Sequence, residues 1–449
     1  MPTLMVSISG IRGIVGDGLT PEVIVKYTSS YADFVEQGKV IVGRDARITG
    51  EMVNKIVTGT LLAKGLDVVD IGIVPTPTVQ FTVKALEAQG GIAITASHNP
   101  NEWNALKLLN STGQFMSPEE HDTMKTFMDK ETYYESWQKV GKFSEYYQAI
   151  DNHISAILNL KVIDVEKIKS RRFKVLLDCV NGAGVYSVPK LLDKLGVDYI
   201  QMNCDKSGIF PRLPEPIPEN LIETMNAVKA NNVDLGIVVD PDVDRLVLIT
   251  DKGEPFGEEN TITQVVQFIL SKTKGNVAVN LSTTRAVDDV AKEFACKVFR
   301  SPVGEANVVK KMKEVNAVIG GEGSGGVIYP ALHYGRDALV GIALTLQHLA
   351  EKGISLSQLK EQLPNYFIAK KKIELTDASP DEVLNQLLYR YKDYKTNTDD
   401  GLRIDFNDHW VHLRKSNTEP IIRIIVEANK KNLADSLAEK YLKEIQELV

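Results

Sequence analysis

Four short stretches of this sequence carry residue types that do chemistry, at spacings that side chains can use. In Thr95-Ala96-Ser97-His98-Asn99-Pro100 a hydroxyl stands beside an imidazole. Ser97 is a candidate nucleophile. Adjacency is not a triad, however, and taken alone the loop reads as an Asn-Pro turn closing a strand. Asp240-Pro241-Asp242-Val243-Asp244-Arg245 alternates three carboxylates between the apolar runs GIVV and LVLIT. Three anions held between buried strands repel unless a cation or Arg245 compensates them, and an extended loop of this kind can wrap one hard cation with oxygen ligands. That reading outweighs a solvated acidic turn, although the D-x-D spacing also suits an aspartyl phosphatase with Asp240 as nucleophile.

Gly320-Gly321-Glu322-Gly323-Ser324-Gly325-Gly326 sets one carboxylate and one hydroxyl among glycines that let backbone approach a ligand closely. Such a loop suits sugar hydroxyls, and a flexible linker would look similar. It lacks the G-x-G-x-x-G pattern and acidic partner of a dinucleotide site. Arg414-Lys415-Ser416-Asn417-Thr418-Glu419-Pro420, with Arg423 beyond it, gathers guanidinium, ammonium, hydroxyl and amide donors. These fit a phosphate better than they fit an exposed basic hairpin. Together the four loops describe phosphoryl transfer on a sugar phosphate.

The elements that must position these loops repeat. KVIVGRD (39–45), LDVVDIGIV and GIAITAS read as strands separated by helices. The order returns with KVLLD (174–178), VDYIQM and LGIVVD, and again with VAVNL (277–281), CKVFR and AVIGG. Helices between successive strands imply parallel pairing, and ligands of open α/β sheets sit beyond the carboxyl ends of strands, where these polar loops fall. After about residue 365, FIAKKKIEL, GLRIDF, HWVHLRKS and IIRIIVEA alternate as strands, with two helices, as in a smaller α+β domain. Residues 118–170 read as a charged, largely helical bridge. Expected domains are therefore 1–152, 153–253, 254–367 and 368–449.

The chain has 449 residues, 43% hydrophobic and 25% charged, with a formal net charge of −7. Disorder and a disulfide scaffold are excluded, and the acidic balance argues against broad nucleic-acid binding. Cys179, Cys204 and Cys296 form no C-x-x-C pair. No signal peptide and no membrane span are expected, so the expected location is cytoplasmic.

The chain resembles the α-D-phosphohexomutase superfamily over essentially its whole length. The resemblance rests on SGIRG (9–13), GRDAR (43–47), TASHNP (95–100), DPDVDR (240–245), GEGSG (321–325) and RKSNTEP (414–420), in the family's order. It implies three similar βαβαβ domains with mixed, mostly parallel sheets and a C-terminal α+β domain, TATA-binding-protein-like, around a central cleft. It implies that Ser97 is carried as phosphoserine and that one Mg²⁺ per chain is bound by Ser97, Asp240, Asp242 and Asp244. Arg12, His98 and Lys107 would flank the phosphoserine, with Lys107 as acid/base. Gly304, Glu322, Ser324 and Arg245 would contact the sugar. Arg414, Ser416, Asn417, Thr418 and Arg423 would hold the phosphate that is not reacting. The implied reaction moves phosphate between O6 and O1 of a hexose phosphate through a hexose 1,6-bisphosphate, which is also the activator, in a monomer or homodimer. The loop GEGSGG differs from the GEMSGH and GEQSGH of many relatives. Val303-Gly304-Glu305 and SNTEP look more like phosphoglucosamine mutases, so the expected conversion is glucosamine 6-phosphate to glucosamine 1-phosphate. The alternative is a phosphomannomutase/phosphoglucomutase.

Overall fold

The computed structural model describes residues 3–7, 10–375, 379–415 and 421–448. The chain forms two compact units, one of Met1–Thr261 with Ser324–Lys360, the other of Ile262–Gly323 with Glu361–Val449.

The first unit holds two sheets. In the larger, the strands run in the order Met5–Ser7, Gly10–Ile14, Trp103–Leu109, Gly90–Ile94, Lys39–Arg44, Asp67–Ile73 and Phe143–Glu145. The middle of the β-α-β-α-β repeat pairs in parallel, as the intervening helices require. Trp103–Leu109 instead turns straight back on Gly90–Ile94 and pairs antiparallel. TASHNP is therefore a hairpin-side loop at a strand's carboxyl end. The helix Gly50–Ala63 packs Val53, Val57 and Leu61, spaced four apart, into a core with Val40, Val42, Ile92 and Ile94. The second sheet has the order Leu246–Thr250, Leu235–Val239, Lys174–Asp178 and Asp198–Met202, with only the first pair antiparallel.

Residues 118–170 depart from the helical expectation. Helices cover Pro118–Lys125, Ala149–Leu158 and Val165–Ser170. Between the first two, the strand Phe143–Glu145 extends the larger sheet by pairing with Val68–Asp70. The segment between them has apolar residues at Tyr134, Trp137, Val140 and Phe143, but all are exposed, so no packed face holds them in a helix.

The helix Ala338–Lys352 also belongs to this unit and is buried along almost its full length. Asp337 caps it, accepting from the N–H groups of Leu339 (2.8 Å) and Val340 (3.3 Å). A helix that is apolar all round carries little periodic signal, and the sequence pattern did not single it out.

In the second unit, Val298–Ser301, Asn276–Asn280 and Ala317–Glu322 pair in parallel in that order. A five-stranded antiparallel sheet follows, ordered Phe367–Glu374, Ile421–Ala428, His409–Lys415, Leu402–Asp405 and Lys395–Asn397. Its helices Pro380–Arg390 and Lys431–Gln446 contribute Val383, Leu387, Ala438 and Ile445 to a core with Val411, Leu413 and Ile424. Among the described residues, no helix is long and apolar enough to cross a membrane.

Candidate active site

Ser97 follows the strand Gly90–Ile94 and holds a left-handed backbone, with φ of 49°. A non-glycine residue stays there only when its surroundings impose it. Its N–H donates to Thr95 Oγ1 (3.0 Å), whose own hydroxyl donates to Asp45 Oδ2 (2.7 Å). Beneath the loop lies Arg47, with no exposed surface. Its guanidinium pairs with Asp45 (3.0 Å) and donates to the carbonyls of Ser97 (2.6 Å), Asn99 (2.7 Å), Pro100 (2.5 Å) and Trp103 (3.1 Å). A buried fork of donors thus shapes the loop from below. Burial pushes the Asp45 carboxyl up, against the pull of Arg47. Although GRDAR is part of the family pattern, the sequence assigned Asp45 and Arg47 no role. A buried Arg cannot be told from an exposed one by spacing.

Within the same unit the aspartate loop meets this serine. Ser97 Oγ donates to Asp240 Oδ2 across 2.9 Å. Asp240 Oδ1 accepts from the N–H groups of Asp244 and Arg245 (3.2 and 3.1 Å), curling the loop on itself. Val243 takes the bend at φ of 61°. The turn after Lys174–Asp178 supports the loop from below, where Ala183 N–H donates to Pro241 O (2.8 Å). A Cβ on Gly182 would stand 2.6 Å from the Pro241 backbone, so only glycine allows this approach.

The carboxylates of Asp240, Asp242 and Asp244 are wholly buried, and one ligand atom from each lies within 4.8 Å of the others. Lys107 Nζ reaches Asp242 Oδ2 at 2.6 Å and Asp244 Oδ2 at 3.4 Å. Thr76 donates its hydroxyl to Asp242 Oδ2 (2.6 Å), and Arg336 donates to Asp244 Oδ2 (2.7 Å). Burial and the neighbouring Asp244 and Asp242 push Asp240 well above the ordinary carboxylate range. Burial would raise Asp242 too, but the Lys107 ammonium wins and holds it low. In turn, burial would discharge Lys107, but Asp242 and Asp244 keep it charged. Among the described residues, Asp242 Oδ1 and Asp244 Oδ1 are buried without a hydrogen-bond partner. Two unused carboxylate oxygens in one acidic cluster fit a hard divalent cation that takes oxygen ligands.

The other residues expected around Ser97 are close. His98 Nδ1 stands 3.4 Å from Ser97 Oγ, and burial followed by the Arg245 charge pushes its ring down to about 3. It is neutral at physiological pH. Arg12 donates to Asn99 Oδ1 at 3.3 Å. The Arg245 side chain lies 3.9 Å from Asp244 Oδ1. The sequence missed Thr76 and Arg336, which sit at a helix start and in a loop where neither type is unusual.

These loops decide which proteins this chain is comparable with. Its residues 5–135, 151–253, 259–367 and 371–444 match, in order, the models for phosphoglucomutase/phosphomannomutase alpha/beta/alpha domains I, II and III and the C-terminal domain. The chain belongs to the phosphoglucomutase/phosphomannomutase family. It is a phosphohexomutase, an intramolecular phosphotransferase. A probable phosphoglucosamine mutase of Methanopyrus kandleri is 35% identical over 438 residues, spanning 97% of this chain and 96% of that protein. A phosphoglucomutase/phosphomannomutase of Thermococcus kodakarensis is 37% identical, spanning 98% and 97%. A crystal structure of a phosphoglucomutase/phosphomannomutase family protein from Burkholderia thailandensis matches with a TM-score of 0.86 at 25% identity, over 98% of each chain.

In this family member's second unit, Glu322 ends its strand with its carboxylate buried, accepting from Asn280 Nδ2 (2.8 Å) and from Gly304 N–H (2.9 Å). Gly304 takes φ of 114° at the start of helix Glu305–Glu314, a backbone other residues resist. Asp400 joins two of the expected regions, accepting from Val303 N–H (2.9 Å) and pairing with Arg414 Nε (2.8 Å). Arg414 and Arg423 face each other across adjacent strands, and Arg423 is exposed. Lys415 is drawn aside to Asp381 (2.7 Å). Ser324 opens the segment assigned to the first unit and is half-buried. Ser416, Asn417 and Thr418 lie outside the described residues.

Proposed function

We propose that this phosphohexomutase is a phosphoglucosamine mutase, interconverting glucosamine 6-phosphate and glucosamine 1-phosphate, with mannose or glucose phosphates as the competing substrates. The observation that carries the mechanism is the 2.9 Å contact of Ser97 Oγ with Asp240, inside a cluster with two unsatisfied carboxylate oxygens. The substrate assignment draws support from relatives. The Methanopyrus kandleri protein is named a probable phosphoglucosamine mutase, and a 34% identical protein of Sulfurisphaera tokodaii a phosphoglucosamine/phosphogalactosamine mutase.

In this reading Ser97 carries a phosphoryl group. The Oγ–P bond breaks as a bond forms from phosphorus to a sugar hydroxyl oxygen; the Lys107 ammonium gives a proton to the departing Oγ, and the hydroxyl proton replaces it on the Lys107 amine. The hexose 1,6-bisphosphate then returns its other phosphate to Ser97 Oγ. Asp240, Asp242 and Asp244, with an oxygen on Ser97, would hold one Mg²⁺, which when bound would draw off negative charge from the transferring group. Lys107 enters as an ammonium and serves first as a proton donor, while Arg12 and neutral His98 flank the phosphoserine. Arg245 and Ser324 assist at the sugar, Gly304 offers backbone, and Glu322 accepts from sugar hydroxyls. Arg414 and Arg423, with Ser416, Asn417 and Thr418, grip the phosphate that is not reacting, so catalysis is mostly positioning and charge stabilisation. Domain limits of 1–152, 153–253, 254–367 and 368–449, a cytoplasmic location, and a monomer or homodimer belong to the same proposal.

A substrate panel tests it. Glucosamine 6-phosphate should give the highest kcat/KM among glucosamine, N-acetylglucosamine, glucose and mannose 6-phosphates, with a hexose 1,6-bisphosphate added as activator. Mass spectrometry should place one phosphate on Ser97. A preference for mannose 6-phosphate would move the assignment to the alternative, and phosphate on Asp240 would replace the mechanism.

A further inference from the structure

Behind the aspartate loop, within the first unit, lies a second group of titratable side chains that the proposed chemistry does not use. His153, His333 and Asp337 are all buried. Asp337 Oδ2 stands 3.0 Å from His153 Nε2 and 3.2 Å from His333 Nε2. His153 Nδ1 stands 3.0 Å from the Thr78 hydroxyl, and Phe81 stacks on its ring at 5.0 Å. The other oxygen of Asp337 caps the helix Ala338–Lys352.

Each end of this group is one step from the aspartate loop. Arg336 precedes Asp337 and donates to Asp244 Oδ2 at 2.7 Å. Ala338 follows it and donates its N–H to Val243 O at 3.1 Å. On the other side, the helix Thr76–Ala85 carries both Thr78, which meets His153, and Thr76, which donates its hydroxyl to Asp242 Oδ2 and its N–H to Asp242 O. Bonds thus run from Asp242 through that helix to His153, on to Asp337, and back to Asp244 and Val243. We propose that His153 and Asp337 are positioning residues, a buried brace that sets the aspartate loop in the geometry its cation requires. The proposal rests on reading Asp240, Asp242 and Asp244 as cation ligands.

The same three residues invite a different reading, as a second metal centre. The hydrogen bonds favour the brace. With the Nε2 of each histidine protonated, Asp337 is met by two imidazole N–H groups and two helix N–H groups, and Thr78 donates to the free Nδ1 of His153. The carboxylate is then satisfied without an ion. A cation there would displace the proton from the Nε2 of both imidazoles and break both of their bonds to Asp337.

The test measures cation binding directly, on the full-length, dephosphorylated protein, with Mn²⁺ as the probe read by electron paramagnetic resonance. His153→Phe keeps the ring and its stacking but loses both hydrogen bonds. Mn²⁺ should bind it roughly tenfold more weakly, the low end of the usual effect for groups behind metal ligands. His153→Gln can restore a donor toward Asp337 and should recover most of the loss. Thr78→Val, which is isosteric, should weaken binding by about threefold and keeps the test available if His153→Phe does not fold. Leu61→Ala, a cavity in the core of the larger sheet, should lower the melting temperature and leave Mn²⁺ affinity unchanged. Unchanged affinity in His153→Phe and Thr78→Val, or an equal loss in Leu61→Ala, overturns the brace. So does elemental analysis finding a tightly held metal that Asp242→Asn retains and His153→Phe loses. Absence of Mn²⁺ binding by the unaltered protein would instead remove the cation site itself, a failure distinguishable from that of the brace.

Discussion

Arg47→Lys separates the shape of the serine loop from its chemistry. Arg47 touches neither Ser97 Oγ nor any aspartate of the acidic loop. It holds the carbonyls of Ser97, Asn99, Pro100 and Trp103, pairs with Asp45, and lies 4.7 Å from the centre of the Phe210 ring. Lysine keeps the charge but presents its donors from a single point, so it can hold Asp45 and at best part of the carbonyl set. Loss of two charge-assisted bonds, at about 1.5 kcal/mol each, costs about 3 kcal/mol. That is below the usual 5–15 kcal/mol of a folded domain, so the protein should fold, with a melting temperature about 6–12 °C lower. The left-handed backbone at Ser97 would relax, and a displacement of about 1 Å at a reacting group costs roughly 100-fold in rate. The expected result is kcat down about 100-fold, with KM changed by less than about threefold, because no substrate contact is removed. Steady-state kinetics in both directions, with calorimetric melting and mass spectrometry of Ser97 phosphate, reads all three. A variant that melts lower as expected yet keeps kcat within threefold of the unaltered protein would refute the claim that Arg47 sets the nucleophile.

Ser97→Ala should remain folded and lose nearly all mutase activity; substantial turnover by the folded variant would remove Ser97 from the mechanism. Excess chelator should abolish activity and Mg²⁺ restore it, since the aspartate cluster offers hard oxygen ligands; full activity in chelator counts against the cation site. Arg414→Ala should lose about 10- to 150-fold in kcat/KM in both directions, the value of one charge-assisted phosphate contact, and unchanged kinetics would leave this strand end out of substrate binding. His412 faces Asp400 O at 2.6 Å and the Ser282 hydroxyl at 2.9 Å, and burial pushes its ring down to about 4. Between pH 4 and about 6.5 the unfolded chain therefore binds more protons there than the folded one. Stability should fall as pH drops through that window, by up to about 1.4 kcal/mol per unit from this group. His412→Asn should flatten the slope of melting temperature against pH, and an unchanged slope would show that His412 is not held neutral.

The chain's strands were legible because they are short apolar runs, continuous in the parallel sheets and interrupted by exposed polar residues in the C-terminal one. Lys174–Asp178 and Ile421–Ala428 fall where the pattern placed them. The candidate chemical loops were legible because their residues are unusual beside buried strands, such as three alternating aspartates. What the pattern could not supply was partnership. Nothing local ties Arg47 to the carbonyls of Ser97, Asn99, Pro100 and Trp103, Arg336 to Asp244, or Thr76 to Asp242, because separations of 50 or more residues are bridged only once the chain has folded. The helix Ala338–Lys352 escaped notice because it is buried on nearly all sides, and burial on every face erases the period that marks a helix. The sequence by itself determined which groups are candidates for the chemistry and which strand ends carry them. Tertiary structure alone decided how they are held, since the charge and strain of a buried site are relieved by whichever distant side chains the fold brings beside them.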